Sequence, residues 1–176
     1  MAWTTPQTVV ADSTELTAAL WNEQVRDNTN FLYTPPMVAV RLTSDVNPYT
    51  SLTDISWQAE DYDTDNMWSS GATITINTSG VYVMSLTAGP SATATLNRVG
   101  AIIFVNGGRK FYQDYVALTS TRGYCSVYGV YKMSAGDTIT TQLEFFGGSN
   151  YRLEGQPLAS DDNTVTKFSV AWLGSG

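Results

Sequence analysis

The chain has 176 residues, 43% of them hydrophobic and only 14% charged, with a net charge of -7 and no histidine. That composition supplies apolar surface for one domain core plus an appendage, and the acidic balance excludes nucleic-acid binding through a basic field. With no histidine and a single cysteine, Cys125, the chain by itself cannot build a Ser-His-Asp or Cys-His centre, a zinc site or an internal disulfide. There is neither an apolar run near 18 residues nor a charged-then-apolar N-terminus, so neither a membrane span nor a signal peptide is expected.

Residues 1–11 read as an irregular apolar arm carrying Trp3, Pro6, Val9 and Val10. Asp12 has the chemistry of an N-cap, and Glu15 stands where a capping box returns its carboxylate. A helix is predicted from about Ser13 to Leu32, ended by Pro35 and Pro36. Within it Ala18, Trp21, Val25, Asn28 and Leu32 follow the alternating three-and-four spacing of a heptad seam, with Asn28 as a polar residue able to fix register. The same spacing suits an amphipathic helix lying on its own domain, and two heptads do not decide between the two readings. Either way Trp21, Val25 and Leu32 require a partner surface. Residues 1–36 are therefore set apart as an arm and helix for attachment or oligomerisation, and residues 37–176 as a β-domain.

From Met37 onward strand signals dominate. MVAVRLTS and ISWQAEDYD are followed by ATITINTSGVYVMSLTAG, which holds two strands joined at Thr78, Ser79 and Gly80. RVGAIIFVNGGRKFYQDYVAL predicts a hairpin around Asn106-Gly107-Gly108. GYCSVYGVYKMSAGDTITTQLEFFGG predicts a second hairpin turning at Ser134 to Asp137, and TKFSVAWLGSG closes the chain. Eight or nine such strands imply an all-β sandwich or jelly roll.

The order of these motifs resembles the C1q and tumour-necrosis-factor-like jelly roll. Gly80 and Tyr82 match its Gly-x-Tyr, AIIFVNGGR its strand into an Asn-Gly turn, Met133, Gly136 and Asp137 loosely its Leu-x-x-Gly-Asp turn, and FSVAWL its closing strand. Met84 departs from the family's usual aromatic residue, and a helix stands in place of the collagen stalk of C1q proteins. The resemblance implies a homotrimer packed around a three-fold axis, with Tyr82, Phe168 and Trp172 as interface candidates. The stretch LTAALWNEQVRDNTNFL, through Thr17, Ala18, Asn22, Arg26, Asp27 and Asn28, is similar to the N-terminal helices of small tailed-phage structural proteins. That likeness implies a virion surface protein mounted by its N-terminal segment on other virion proteins, as capsid decoration or a short fibre. The alternative it leaves open is a tail-fibre adhesin gripping a host-surface glycan, and a more distant one is a glycan-cleaving enzyme.

Candidate chemical sites are few. Asp61, Asp63 and Asp65 alternate as the carboxylates of a calcium loop do, but Asn66 and Ala72 occupy the positions where an EF-hand requires Gly and Glu. A non-EF calcium site and a solvated acidic loop both fit. Trp57, Trp68 and Tyr151 could stack on sugar rings if they cluster on one exposed loop face. No cofactor is expected, and no residue spacing singles out a catalytic pair. Tyr124, Tyr128 and Val130 share one parity of their strand and Val127, Gly129 and Tyr131 the other, so both faces are apolar or aromatic; a subunit interface and a mixture of core and scattered surface Tyr both fit.

Overall fold

The computed structural model describes residues 17–93, 96–116, 123–155 and 166–175. Within them the strands run β1 (Met37–Arg41), β2 (Ala59–Asp63), β3 (Ile74–Thr75), β4 (Gly80–Ala88), β5 (Pro90–Ser91), β6 (Arg98–Val105), β7 (Gly108–Val116), β8 (Cys125–Met133), β9 (Thr138–Phe146), β10 (Arg152–Leu153) and β11 (Lys167–Gly174). A five-stranded antiparallel sheet has the order β2-β1-β11-β4-β8, a four-stranded one the order β3-β9-β6-β7, and β5 pairs with β10 in a short ribbon.

The core follows from side-chain alternation. Tyr82, Met84 and Leu86 of β4 and Phe168, Val170 and Trp172 of β11 point inward from the larger sheet, and Val99, Ala101 and Ile103 of β6 with Ile139 and Leu143 of β9 meet them from the smaller. Burying each of the large side chains stabilises the fold by roughly 1.5–3 kcal/mol. Cys125 is sealed opposite Ala88, and burial pushes its thiol pKa up to about 12.

The hairpin at Asn106-Gly107 forms as expected. Both residues have positive φ, 52° and 72°, the geometry that matches the twist of two antiparallel strands. Ser134 to Asp137, by contrast, is not a hairpin. β8 pairs with β4 over nine positions and β9 pairs with β6, so this turn carries the chain from one sheet to the other. It is held there by β3: the Gly136 N–H donates to Ile76 O at 2.7 Å, and Ile76 N–H to Asp137 O at 2.8 Å. The Asp137 carboxylate accepts from Asn106 Nδ2 and from Ser134 N–H, both at 2.8 Å, and these bonds hold its pKa below the ordinary carboxylate value.

Where β7 meets β8, the two sheets interlock through an aromatic ring and a glycine. A Cβ on Gly129 would lie 2.1 Å from Cε1 of Phe111, so the ring occupies the space a side chain would take. Phe111 meets Tyr131 edge-on at 6.4 Å, and the Tyr115 hydroxyl donates to Ser126 O.

The N-terminal helix differs from its predicted course. Thr17 is extended, and its hydroxyl accepts from Leu20 N–H at 3.1 Å, so Thr17 is the N-cap and the helix begins at Ala18. The predicted cap at Asp12 and Glu15 lies outside the described residues. The helix comprises α1 (Ala18–Trp21), a π segment (Asn22–Asp27) and α2 (Asn28–Tyr33). The wider π turns shift the phase of the side chains, and the heptad spacing therefore does not yield one seam. Asn28 is buried with Phe31, while Trp21, Val25 and Leu32 stay exposed.

Replacing Gly129 with Ala is expected to destabilise the protein by about 1–3 kcal/mol, as overpacking against Phe111 does. In a double-mutant cycle with Phe111→Ala, measured by denaturant unfolding, the two losses should be less than additive, because removing the ring makes room for the methyl.

Candidate assembly interface

Among the described residues two apolar surfaces are left uncovered. The first is the outer face of the five-stranded sheet. Its register places Tyr62, Ala39, Ser169, Ser85 and Tyr128 in one row across all five strands. The next row contains Met37, Ala171, Val83 and Val130. Neither row carries a charge. Charged residues stand at the margins: Arg41 beside Lys167 at one end, and Lys132 opposite Val81 at the other. Tyr128 is 77% exposed and Val130 55%, on the edge strand β8. Small residues in the middle strands and larger ones on β8 make a flat uncharged surface of the kind that packs against another polypeptide.

The second surface is the helix. Phe31 docks it, meeting the Trp172 ring edge-on with centroids 4.9 Å apart. Trp172 N–H donates to Pro36 O at 2.9 Å, which fixes the chain between helix and β1. Trp21, Val25, Leu32 and Tyr33 face solvent. The helix thus lies on its own domain, one of its two expected modes, and still presents the apolar residues that would meet a partner.

The aromatic residues proposed for the three-fold interface fall on the wrong parity. Tyr82 and Phe168 are at most 1% exposed and Trp172 is 8% exposed, all within the protomer's own core. A Cβ on Gly80 would lie 2.1 Å from Trp172 Nε1, so that ring too fills a glycine notch. The outward residues of the same strands, Val83, Ser85, Ser169 and Ala171, are the ones available to a neighbour. A sequence signal for this exists: on β4 and β11 the bulkier parity faces inward.

The glycan-stacking trio also separates. Trp57 is buried and stacks on Phe168 at 6.2 Å. Trp68 donates its indole N–H to Gly71 O, and Tyr151 stacks on Phe145 at 4.3 Å. They form no exposed aromatic face. The acidic stretch is likewise divided. Asp61 pairs with Arg41. Asp63 is a loop clasp: its Oδ1 accepts from the N–H groups of Asp65 at 3.2 Å and Met67 at 3.0 Å, and its Oδ2 from Trp68 N–H at 2.8 Å. Asp65 lines a groove of about 440 Å³ beside Phe31 and Thr64. Among the described residues no three acidic or cysteine side chains converge as a metal would require, and no helix is long and apolar enough to cross a membrane.

No family model and no curated protein matches the chain. Solved structures do. Murine APRIL at pH 5.0 superposes with a TM-score of 0.58 at 15% identity, over 78% of this chain and 98% of that one. Murine APRIL at pH 8.0 gives 0.56 at 14% identity, with the same coverage. The globular domain of zebrafish complement 1qA gives 0.53 at 13% identity, over 80% of this chain and 99% of that one. The fold is a C1q/TNF-like jelly roll with a short N-terminal helix.

Because Asp63 serves the backbone, Asp63→Ala is expected to lower stability by about 1–3 kcal/mol through three orphaned N–H groups. Millimolar calcium should leave the melting temperature of the unaltered protein in place. Differential scanning calorimetry with and without the ion measures both.

Proposed function

We propose that this protein is a structural component of a bacteriophage virion surface: a homotrimeric jelly roll mounted on other virion proteins through its N-terminal arm and helix, as capsid decoration or a short fibre. The observation that carries the reading is the pair of uncovered apolar surfaces, the uncharged outer face of the five-stranded sheet and the solvent-facing Trp21, Val25 and Leu32. Side chains of this size are worth roughly 1.5–3 kcal/mol each when buried, so two partner surfaces are implied. The sheet face is the self-associating one: it is flat, lacks charge repulsion, and repeats identically on every copy. The helix is the mount, and the similarity of LTAALWNEQVRDNTNFL to phage structural proteins supports a phage particle. The role is one of assembly rather than catalysis.

Analytical ultracentrifugation tests the first half. The full chain should sediment as three subunits, and Val130→Glu with Tyr128→Glu should give a folded monomer. A full chain that stays monomeric at micromolar concentration overturns the trimer.

Deleting residues 1 to 34 tests the second half. Circular dichroism should show a folded β-domain, less stable by about 1–3 kcal/mol because Phe31 no longer covers Trp172. That domain should fail to co-sediment with virions lacking the protein. Incorporation equal to that of the full chain would mean the jelly roll makes the attachment.

A further inference from the structure

β4 begins at Gly80, beside the Trp172 ring on which the helix docks, and runs nine residues to Ala88. At ~3.3 Å per residue its far end is about 26 Å away, and there β5 and β10 border a second concavity. This cleft has a volume of about 590 Å³ and is lined by Asn47, Pro48, Ser91, Thr93, Asn150 and Arg152, with the Ala92 methyl in its wall.

The walls are held by backbone bonds. Val46 and Leu153 exchange two hydrogen bonds, of 3.0 and 3.1 Å, and Tyr49 N–H donates to Tyr151 O at 2.7 Å. Thr93 is tied to the opposite loop: its N–H donates to Ser149 O at 3.1 Å, and its hydroxyl accepts from Asn150 Nδ2 at 3.2 Å. The cleft is therefore formed before any ligand arrives.

Its chemistry is polar but electrically balanced. Arg152 donates through Nη2 to Asp45 Oδ2, and Asp45 Oδ1 accepts from Gly155 N–H at 2.9 Å. The Nε of Arg152 is buried and has no acceptor among the described residues. The side chain as a whole is 36% exposed, so the guanidinium held by Asp45 still has donors open to an incoming oxygen. The lining adds two carboxamides and two hydroxyls, groups that both give and accept hydrogen bonds, against a small apolar patch of Pro48 and Ala92. A phosphate or sulfate would find one cation already neutralised, and an apolar ligand would strand the amides. Hydroxyl groups on a ring with an apolar C–H face satisfy every part of the cleft.

We propose that this cleft binds a neutral saccharide, with the exposed part of the Arg152 guanidinium donating to a ring or hydroxyl oxygen and Asn47 and Asn150 pairing with neighbouring hydroxyls. The site shares no residue with Trp57, Trp68 or Tyr151, and it does not depend on the virion assignment.

The test is a screen of the full-length chain against an array of neutral and acidic oligosaccharides, followed by isothermal titration of the best neutral binder. Asn150→Gly removes the carboxamide and keeps a residue that accepts the φ of 50° at this position. Arg152→Lys keeps a charge for Asp45 and removes the further donors of the guanidinium. Each should weaken binding at least tenfold. Chemical-shift changes in the unaltered protein should centre on residues 47, 91–93 and 150–152, which guards against a variant that misfolds. Absence of any neutral binder, binding confined to sialylated or sulfated glycans, or shifts centred elsewhere would each overturn the proposal.

Discussion

The Trp172 indole is the contact on which the rest of the arrangement depends. Its ring fills the notch left by Gly80, its edge receives Phe31 at 4.9 Å, and its backbone N–H binds Pro36 O. One residue thus joins the last strand, the start of β4, the helix and the entry into β1. The geometry tolerates no Cβ at Gly80, and it leaves the helix one way to lie: with Phe31 inward and its neighbour Leu32 outward. The exposure of the helix's apolar residues is a consequence of that docking.

A second constraint of the same kind acts at the open side of the sandwich, where Phe111 lies over Gly129. The two notches stand at different places in the larger sheet, at the first residue of β4 and in the middle of β8. Between them the outer face of that sheet carries mostly small side chains, with Met37 and the exposed Leu173 at the strand ends. A surface of Ala, Ser and Val in the middle strands, with Tyr62 and Tyr128 at the rims, is flat because the large rings have been drawn inward.

The fold was legible because the strands alternate strongly and the Asn106-Gly107 turn has one favoured geometry. The motif order then pointed to the jelly roll. What could not be read is instructive. Ser134 to Asp137 has the composition of a hairpin turn, yet its partner is the β3 end some sixty residues earlier in the chain, a long-range hydrogen bond that local sequence does not encode. The interface candidates Tyr82, Phe168 and Trp172 came from the family resemblance, and the alternation of β4 and β11 places all three inside, with Val83, Ser85, Ser169 and Ala171 outside. The π segment broke the heptad because its wider turns shift the phase of the side chains that follow. Asp63 resembled a metal ligand because a carboxylate that serves three backbone N–H groups has the same local spacing as one that serves a cation. The cleft around Arg152 left no trace, since its residues come from three separate parts of the chain.

The sealed thiol of Cys125 gives the molecule an internal clock. It is the chain's only cysteine, lies at the start of β8 against Ala88, and with its pKa pushed to about 12 it is almost wholly protonated at neutral pH. A thiol in that state reacts only when its surroundings open. The rate at which an alkylating reagent captures it therefore counts the openings of the β4–β8 edge, the strand that carries Tyr128 and Val130. Any neighbour seated on that edge slows the clock, so assembly can be timed from within without adding a label.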